Sequence, residues 1–308
     1  MMIVTIGNPS VDTVTLKGET KIHPGGASVY SAISASALTK AAIIGKIGKD
    51  YPQDFLEIFK SKGISLSNLK AIPHPSKNFE IVIDENFEAE YPRYNVDIDK
   101  KLTVRAIPKT FMNSDTSFLI TQMAPAKQMS FIKKIRQQSP RSLILVNTHY
   151  PFIEKHKKQF SRLIDAADIF VANELEAQKL SDTNRTDIAT HLLSKKYPKT
   201  IIIVTLGGLG SIVIKGRTIQ FAPTIYNTMM KDPTGSGDTF SGGFLASYHK
   251  IRDPVRSAIV GNTMASLKSA GRGYDNILNL KFKKVDDLWS FVLAKSHNFG
   301  AQKILSEF

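Results

Sequence analysis

At 308 residues with 42% apolar side chains, the chain is long enough for one large α/β domain or two small ones around a sizeable core. It has no cysteine, which excludes disulfides, thiolate metal sites and cysteine nucleophiles, and no apolar run approaches the roughly 18–20 residues of a membrane span. Lysine and arginine outnumber aspartate and glutamate by 41 to 27, a formal net charge of +14. These basic residues are scattered as pairs such as Lys133-Lys134, Lys157-Lys158 and Lys195-Lys196. They lack the long run or the aromatic interleaving of a nucleic-acid surface, so the charge reads as solubility or attraction of anionic nucleotides.

Short apolar runs alternate with helical patterns through most of the chain. The N-terminus reads as a strand leading into a turn and not as an export signal, so a cytoplasmic location is expected. Strands are predicted over 3–6, 41–44, 118–121, 143–146, 169–172, 201–205 and 211–214; Ile201 to Val204 is apolar throughout, which suits a parallel strand covered on both faces. Helices are predicted over 29–38, 53–62, 126–138, 175–180 and 188–196, then 239–249, 254–270 and 286–305 in a mostly helical C-terminal third. The alternation predicts a doubly wound, mostly parallel sheet flanked by helices. Two stretches break it: residues 12–22 and 76–100 carry strand-type residues with no intervening helix. They read as a small antiparallel β sheet, either a lid over a cleft or an edge hairpin, on a single domain spanning 1–308. Gly/Pro-rich linkers and internal repeats are absent.

The chemistry concentrates in Asp232-Pro-Thr-Gly-Ser-Gly-Asp-Thr-Phe-Ser-Gly-Gly-Phe244. Gly235, Ser236 and Gly237 lie between two aspartates at the head of an amphipathic run, so their backbone N–H groups and the helix dipole form an anion site. Asp238, in the first turn, would stand beside the bound anion. A carboxylate next to a phosphate-sized hole is the layout for phosphoryl transfer to a hydroxyl, with the acid as base. Aspartate near a helix start is also ordinary capping, and Gly-Ser-Gly is ordinary loop chemistry.

This segment resembles the second signature of the ribokinase (PfkB) carbohydrate kinases, Asp-Thr-x-Gly-Ala-Gly-Asp-x-Phe, with Pro233 and Ser236 in place of the first Thr and the Ala. Further matches follow the family's order from residue 12 to residue 273. Pro24-Gly25-Gly26-Ala-Ser28 and Gly45-Lys-Ile-Gly48-Lys-Asp50 resemble its first signature, and Asp12 stands where the family has an aspartate that binds the acceptor's hydroxyls. Asn173-Glu-Leu-Glu176 looks like the Asn-x-x-Glu motif, although the same residues make a helix cap with a capping-box partner. Thr205-Leu-Gly207-Gly-Leu-Gly210 is similar to the family's nucleotide turn, and Ala270-Gly271-Arg-Gly273 falls where some members hold a monovalent cation. The motifs of Walker-type ATPases, Rossmann dehydrogenases, zincins and α/β-hydrolases are missing.

The resemblance implies an ATP-dependent kinase acting on a hydroxyl of a small sugar or polyol. Asp238 would be the base, with Gly235, Ser236 and Gly237 as its anion hole. It assigns Asn173, Glu176, Thr205, Gly207 and Gly210 to the nucleotide, and Asp12, Gly25, Gly26 and Tyr30 to the acceptor. Glu176 would serve Mg²⁺, in places through water, and Asp232 and Thr234 a monovalent cation such as K⁺. Tyr30 is the departure, since most members have an asparagine there; the residue reads either as an acceptor contact or as a core aromatic, and the pattern leans toward a branch that includes inositol kinases. An inositol or nucleoside kinase on the same fold, and a non-catalytic sugar- or nucleotide-binding protein, are the alternatives. An anionic acceptor would make Arg93, in the small sheet, the first cation to examine. The chain could work as a monomer or as a homodimer.

Overall fold

The computed structural model of the chain describes residues 1–85, 87, 89–224 and 229–295. The first half runs β1 (Met2–Ile6), β2 (Ser10–Leu16), β3 (Glu19–Gly25), α1 (Ala27–Ser36), β4 (Lys40–Gly48), α2 (Gln53–Ser61), β5 (Leu69–Ile72), β6 (Lys77–Ile83) and β7 (Ala89–Asn95). After three short 3₁₀ turns between Asp97 and Phe111 come β8 (Thr116–Ile120), α3 (Pro125–Gln138), β9 (Ile144–Asn147), α4 (Tyr150–Ala166), β10 (Ile169–Asn173), α5 (Glu174–Ser181) and α6 (Thr186–Lys196). The chain continues through β11 (Ile201–Thr205), β12 (Gly210–Lys215), β13 (Thr218–Pro223), α7 (Ser236–Ile251), α8 (Pro254–Ser269) and α9 (Val285–Lys295).

The main sheet has nine strands in the order β13-β12-β11-β10-β9-β8-β1-β4-β5, parallel from β11 to β5 and antiparallel where β12 meets its neighbours. Successive residues of a strand point to opposite faces, so strands covered on both sides must be apolar at every position. Ile3, Ile43, Leu119, Ile169 and Ile203 belong to the core on the side of α1, α7 and α8. Their neighbours Val4, Ile44, Phe118, Phe170 and Ile202 belong to the core on the side of α3, α4 and α6. The chain steps outward from β1 through β4 to β5, then builds the other half from β8 onward. Strand order therefore reverses between β1 and β8, and at such a switch point the carboxyl ends of the strands open a crevice.

The small sheet has the order β3-β2-β6-β7: two antiparallel hairpins whose inner strands β2 and β6 run parallel. It carries its own apolar cluster of Val14, Leu16, Ile81 and Ile83. Both inner strands spring from the crevice end of the main sheet. Strand β2 begins four residues after β1 ends. The start of β6 is clamped where the Ser76 N–H donates to Asp50 (2.9 Å) and the Gly48 N–H to Ser76 Oγ (3.0 Å). The Gly-x-x-Gly-x-Asp motif is thus a fastening between the two sheets.

Several elements were not anticipated. Helix α4 has a buried stripe of Ile153, Phe160, Leu163 and Ile164, but six consecutive polar residues from Glu154 to Gln159 interrupt it and His156 leaves helical geometry. Strands β5 and β13 are short or half-exposed, and their polar faces hide the period-2 signal. The helix expected over 286–305 is described to Lys295, and its remainder lies outside the described residues.

Candidate active site

Helix α7 opens without a side-chain cap, on Gly235 in the left-handed region at φ 71°. A Cβ there would fall 2.4 Å from the Tyr30 ring, so only glycine closes this turn against α1. Two serines of α1 pin the first turn: Ser31 Oγ donates to the Asp238 carbonyl (2.9 Å) and Ser34 Oγ to the Thr239 carbonyl (2.7 Å). The Ser236 N–H donates back to the Pro233 carbonyl at 3.0 Å. The Gly235 and Gly237 amides lie beside it at the helix head, where the dipole favours an anion.

Asp238 lies in that first turn with its carboxyl held by two amides. Gln122 Nε2, just beyond the end of β8, and Asn147 Nδ2, at the end of β9, donate to its Oδ1 at 3.0 and 2.9 Å. These donors and the charge of Lys77 favour the carboxylate, yet burial outweighs them and pushes the Asp238 pKa up to about 7. Its residue keeps an opening to solvent. Such a group is ionised or protonated at small cost near neutral pH, as a base requires.

Glu176 sits in a complete capping box: the Glu176 N–H donates to Asn173 Oδ1 (2.8 Å) and the Asn173 N–H to Glu176 Oε2 (2.9 Å). Burial above all, helped by the Asp238 charge and opposed by the Asn173 and Tyr150 amides, raises its pKa to about 7. The two carboxylates therefore share one field at the mouth of the crevice, an arrangement that a cation between or beside them would relieve. Asn173 pairs in register with Thr205, so these two residues end adjacent strands side by side. Gly207 and Gly210 follow, both at positive φ, in the turn that leads into β12.

Across the crevice, Asp12 on β2 is almost fully buried and accepts from Ser10 Oγ at 2.6 Å. Burial raises its pKa, opposed by Ser10, His23, Lys77 and the Gly26 amide. A Cβ on Gly25 would sit 1.8 Å from Asp12 Oδ2, which explains a side-chain-free residue at that place.

The pfkB family carbohydrate kinase model matches residues 1–278. The chain belongs to the pfkB family of carbohydrate kinases. It is 26% identical to the cytidine kinase of Thermococcus kodakarensis, over 81% of this chain and 89% of that one. It is also 26% identical to the ribokinase of Lactococcus lactis, over 88% of this chain and 92% of that one. A double-mutant fructokinase of Vibrio cholerae O395, crystallised with fructose, ADP and potassium, superposes with a TM-score of 0.78 at 17% identity, covering 94% of this chain and 98% of its own. As in that family, the product of this PfkB fold is a kinase that transfers phosphate to a hydroxyl. No helix among the described residues is long and apolar enough to cross a membrane.

Asp12 and Asp238 both lie in the field of Lys77, and Glu176 in that of Asp238, whereas Asn173, Thr205, Gly207 and Gly210 end β10 and β11 farther along the sheet; two residues depart from expectation. Tyr30 is buried at 2% exposure, its ring 4.8 Å from that of Tyr274 and against Gly235; it lies under the site, within the fields of Asp12, Asp232 and Asp238. Arg93 is 83% exposed and faces Glu80 at 3.9 Å, and the cation common to the fields of Asp12 and Asp238 is Lys77. Gln122, Asn147, Lys77 and Tyr91 were not singled out beforehand. Tyr91 on β7 lies in the fields of Asp12 and Asp238. None of the four sits in a motif; only a polar residue ending an apolar strand hinted at Gln122 and Asn147.

The Asp232 carboxylate is already occupied. Lys268 Nζ lies 3.0 Å from Oδ2, the Gly273 N–H donates to the same oxygen at 3.0 Å, and the Thr234 N–H donates to Oδ1 at 2.9 Å. These residues do not fit the K⁺ expected there, because the oxygens it would need face an ammonium and two amide hydrogens.

Proposed function

We propose that this chain transfers the γ-phosphoryl group of ATP to a hydroxyl of a small sugar or polyol, with Asp238 as general base. The observation that carries the reading is the Asp238 carboxyl, oriented by Gln122 and Asn147 in the first turn of an uncapped helix. An acceptor hydroxyl placed against the free side of that carboxyl loses its proton to Asp238. The Gly235 and Gly237 amides bind the oxygens of the transferring group, and their orientation is preset by the serines of α1. Asp12 holds the acceptor's other hydroxyls, with Gly25 leaving the space.

Asn173, Thr205, Gly207 and Gly210 receive the nucleotide at the ends of β10 and β11. Glu176, with one carboxylate oxygen outside the capping box and a charge raised in cost by Asp238, suits Mg²⁺ held through water. Bound there, the ion would neutralise charge on the phosphate oxygens.

A nucleoside acceptor is the second reading, favoured by Tyr91, a half-exposed aromatic of β7 that feels the charges of both Asp12 and Asp238 and could stack on a base. ADP release measured across pentoses, hexoses, inositols and nucleosides separates the readings. One class should exceed the others by about 10⁴-fold or more, the discrimination of a site built to hydrogen-bond its substrate's hydroxyls. Folded protein that releases no ADP with any of them would place the chain among non-catalytic binding proteins.

A further inference from the structure

The loop beneath the anion hole carries its own cation. Lys268, near the end of α8, is fully buried, and so nearly is its partner Asp232, at 0% and 3% side-chain exposure. Besides the 3.0 Å contact with Asp232 Oδ2, its Nζ donates to the Asp232 carbonyl oxygen at 2.8 Å and lies 5.6 Å from the centre of the Tyr30 ring. The single positive charge thus touches both a carboxylate and a main-chain oxygen of the residue that begins the Asp232–Asp238 loop. The remaining contacts of Asp232 tie that loop together. Thr234, one residue before Gly235, donates its amide to Oδ1, and Gly273 donates to Oδ2 from the following loop.

An isolated ammonium in this position would be costly to bury, and a lone Asp232 carboxylate equally so; each is kept ionised by the other. Burial lowers the Lys268 pKa to about 8 against the opposing pull of Asp232, so the ammonium dominates at pH 7. Tyr30, bulky where most of the family has asparagine, closes the chamber from the α1 side and presents its ring to the ammonium, which favours a cation.

We propose that the Lys268 ammonium is the built-in monovalent cation of the Asp232–Asp238 loop, and that phosphoryl transfer by this chain requires no K⁺ or other monovalent metal ion. Lys268 touches neither acceptor nor nucleotide on this account: it is a positioning residue that holds the loop so that the Gly235 and Gly237 amides face the anion. The inference rests on the kinase reading for its catalytic consequence, and on geometry alone for the cation itself.

Two readouts test it, one of which needs no substrate. Turnover and unfolding temperature of the unaltered protein are measured with K⁺, with NH₄⁺ and with choline as the sole monovalent cation. Turnover should stay within about twofold and the unfolding temperature should not respond, since a site already filled gains nothing from added ligand. Tenfold or greater activation by K⁺, or a K⁺-dependent rise in unfolding temperature, would overturn the proposal. Lys268→Ala leaves the chamber empty, and both its turnover and its unfolding temperature should fall and recover in K⁺ or NH₄⁺ but not in choline. Lys268→Met fills the same space without charge and should lose turnover with no recovery. A folded Lys268→Ala that ignores K⁺ and NH₄⁺, or a Lys268→Met that K⁺ rescues, would also overturn it. Should neither variant fold, the unaltered protein decides. Should no acceptor be turned over, the kinase reading fails while the thermal measurements still report on Lys268.

Discussion

Replacing Asp238 by Asn should abolish most of the activity and at the same time stabilise the protein. Asparagine keeps an Oδ1 that accepts from Gln122 and Asn147, so the hydrogen bonds survive and only the charge is lost. In the native chain burial moves the Asp238 pKa from 3.8 to about 7. A raised carboxylate pKa means stabilisation that is complete below the unfolded value near 4 and lost as the pH rises through about 7. Three pKa units correspond to about 4 kcal/mol at 1.36 per unit, and partial solvent access reduces this to about 1–3 kcal/mol. At pH 8 the native protein bears that cost and the Asn variant does not. For a domain somewhat smaller than this one each kcal/mol moves the midpoint by about 2–4 °C, so the variant should melt several degrees higher at pH 8. The gap should close as the pH approaches 4. Turnover should fall by about 10²–10⁴, the usual worth of a general base. Calorimetry or fluorescence melting across pH, with ADP release on the same samples, supplies both numbers. A variant that melts lower at pH 8, or one that turns over within tenfold of the native enzyme, would refute the reasoning.

Two further substitutions test the site from either side. Gly25→Ala places a methyl 1.8 Å from Asp12 Oδ2 and must turn that carboxyl away; the acceptor's KM should rise by about tenfold or more, equivalent to some 1.4 kcal/mol, with the KM for ATP unchanged in steady-state assays. Gln122→Leu removes a donor that favours the Asp238 carboxylate. A hydrogen bond to a charged group contributes about 1.5–3 kcal/mol, so the acid limb of the kcat/KM profile should move up by about one to two pH units, with activity recovering in alkaline buffer.

Local chemistry was the legible part. The anion loop, its aspartate and the paired glycines are contiguous stretches whose conformations their own residues dictate, and the apolar strands announce themselves because both faces are covered. The capping box of Asn173 and Glu176 was equally readable, and its structural sense is present in the fold. What escaped was long-range. Gln122 and Asn147 reach Asp238 across 116 and 91 residues of chain. Helix α4 was hidden by a charged interruption of its apolar stripe.

The alternation of strand and helix, the ordered motifs and the place of Asp238 in the first turn of its helix were determined by the sequence alone, because each depends on neighbours within a few residues. Lys268 shows the other kind of knowledge. In Leu267-Lys268-Ser269 it reads as an ordinary helical lysine with its charge in water, and only the docking of α8 on the Asp232 loop and on Tyr30 buries it. The ionisation of Asp238 and Glu176 belongs with it. Charge states in this site are set by desolvation and by facing charges, and both exist only once distant segments have closed around the same crevice.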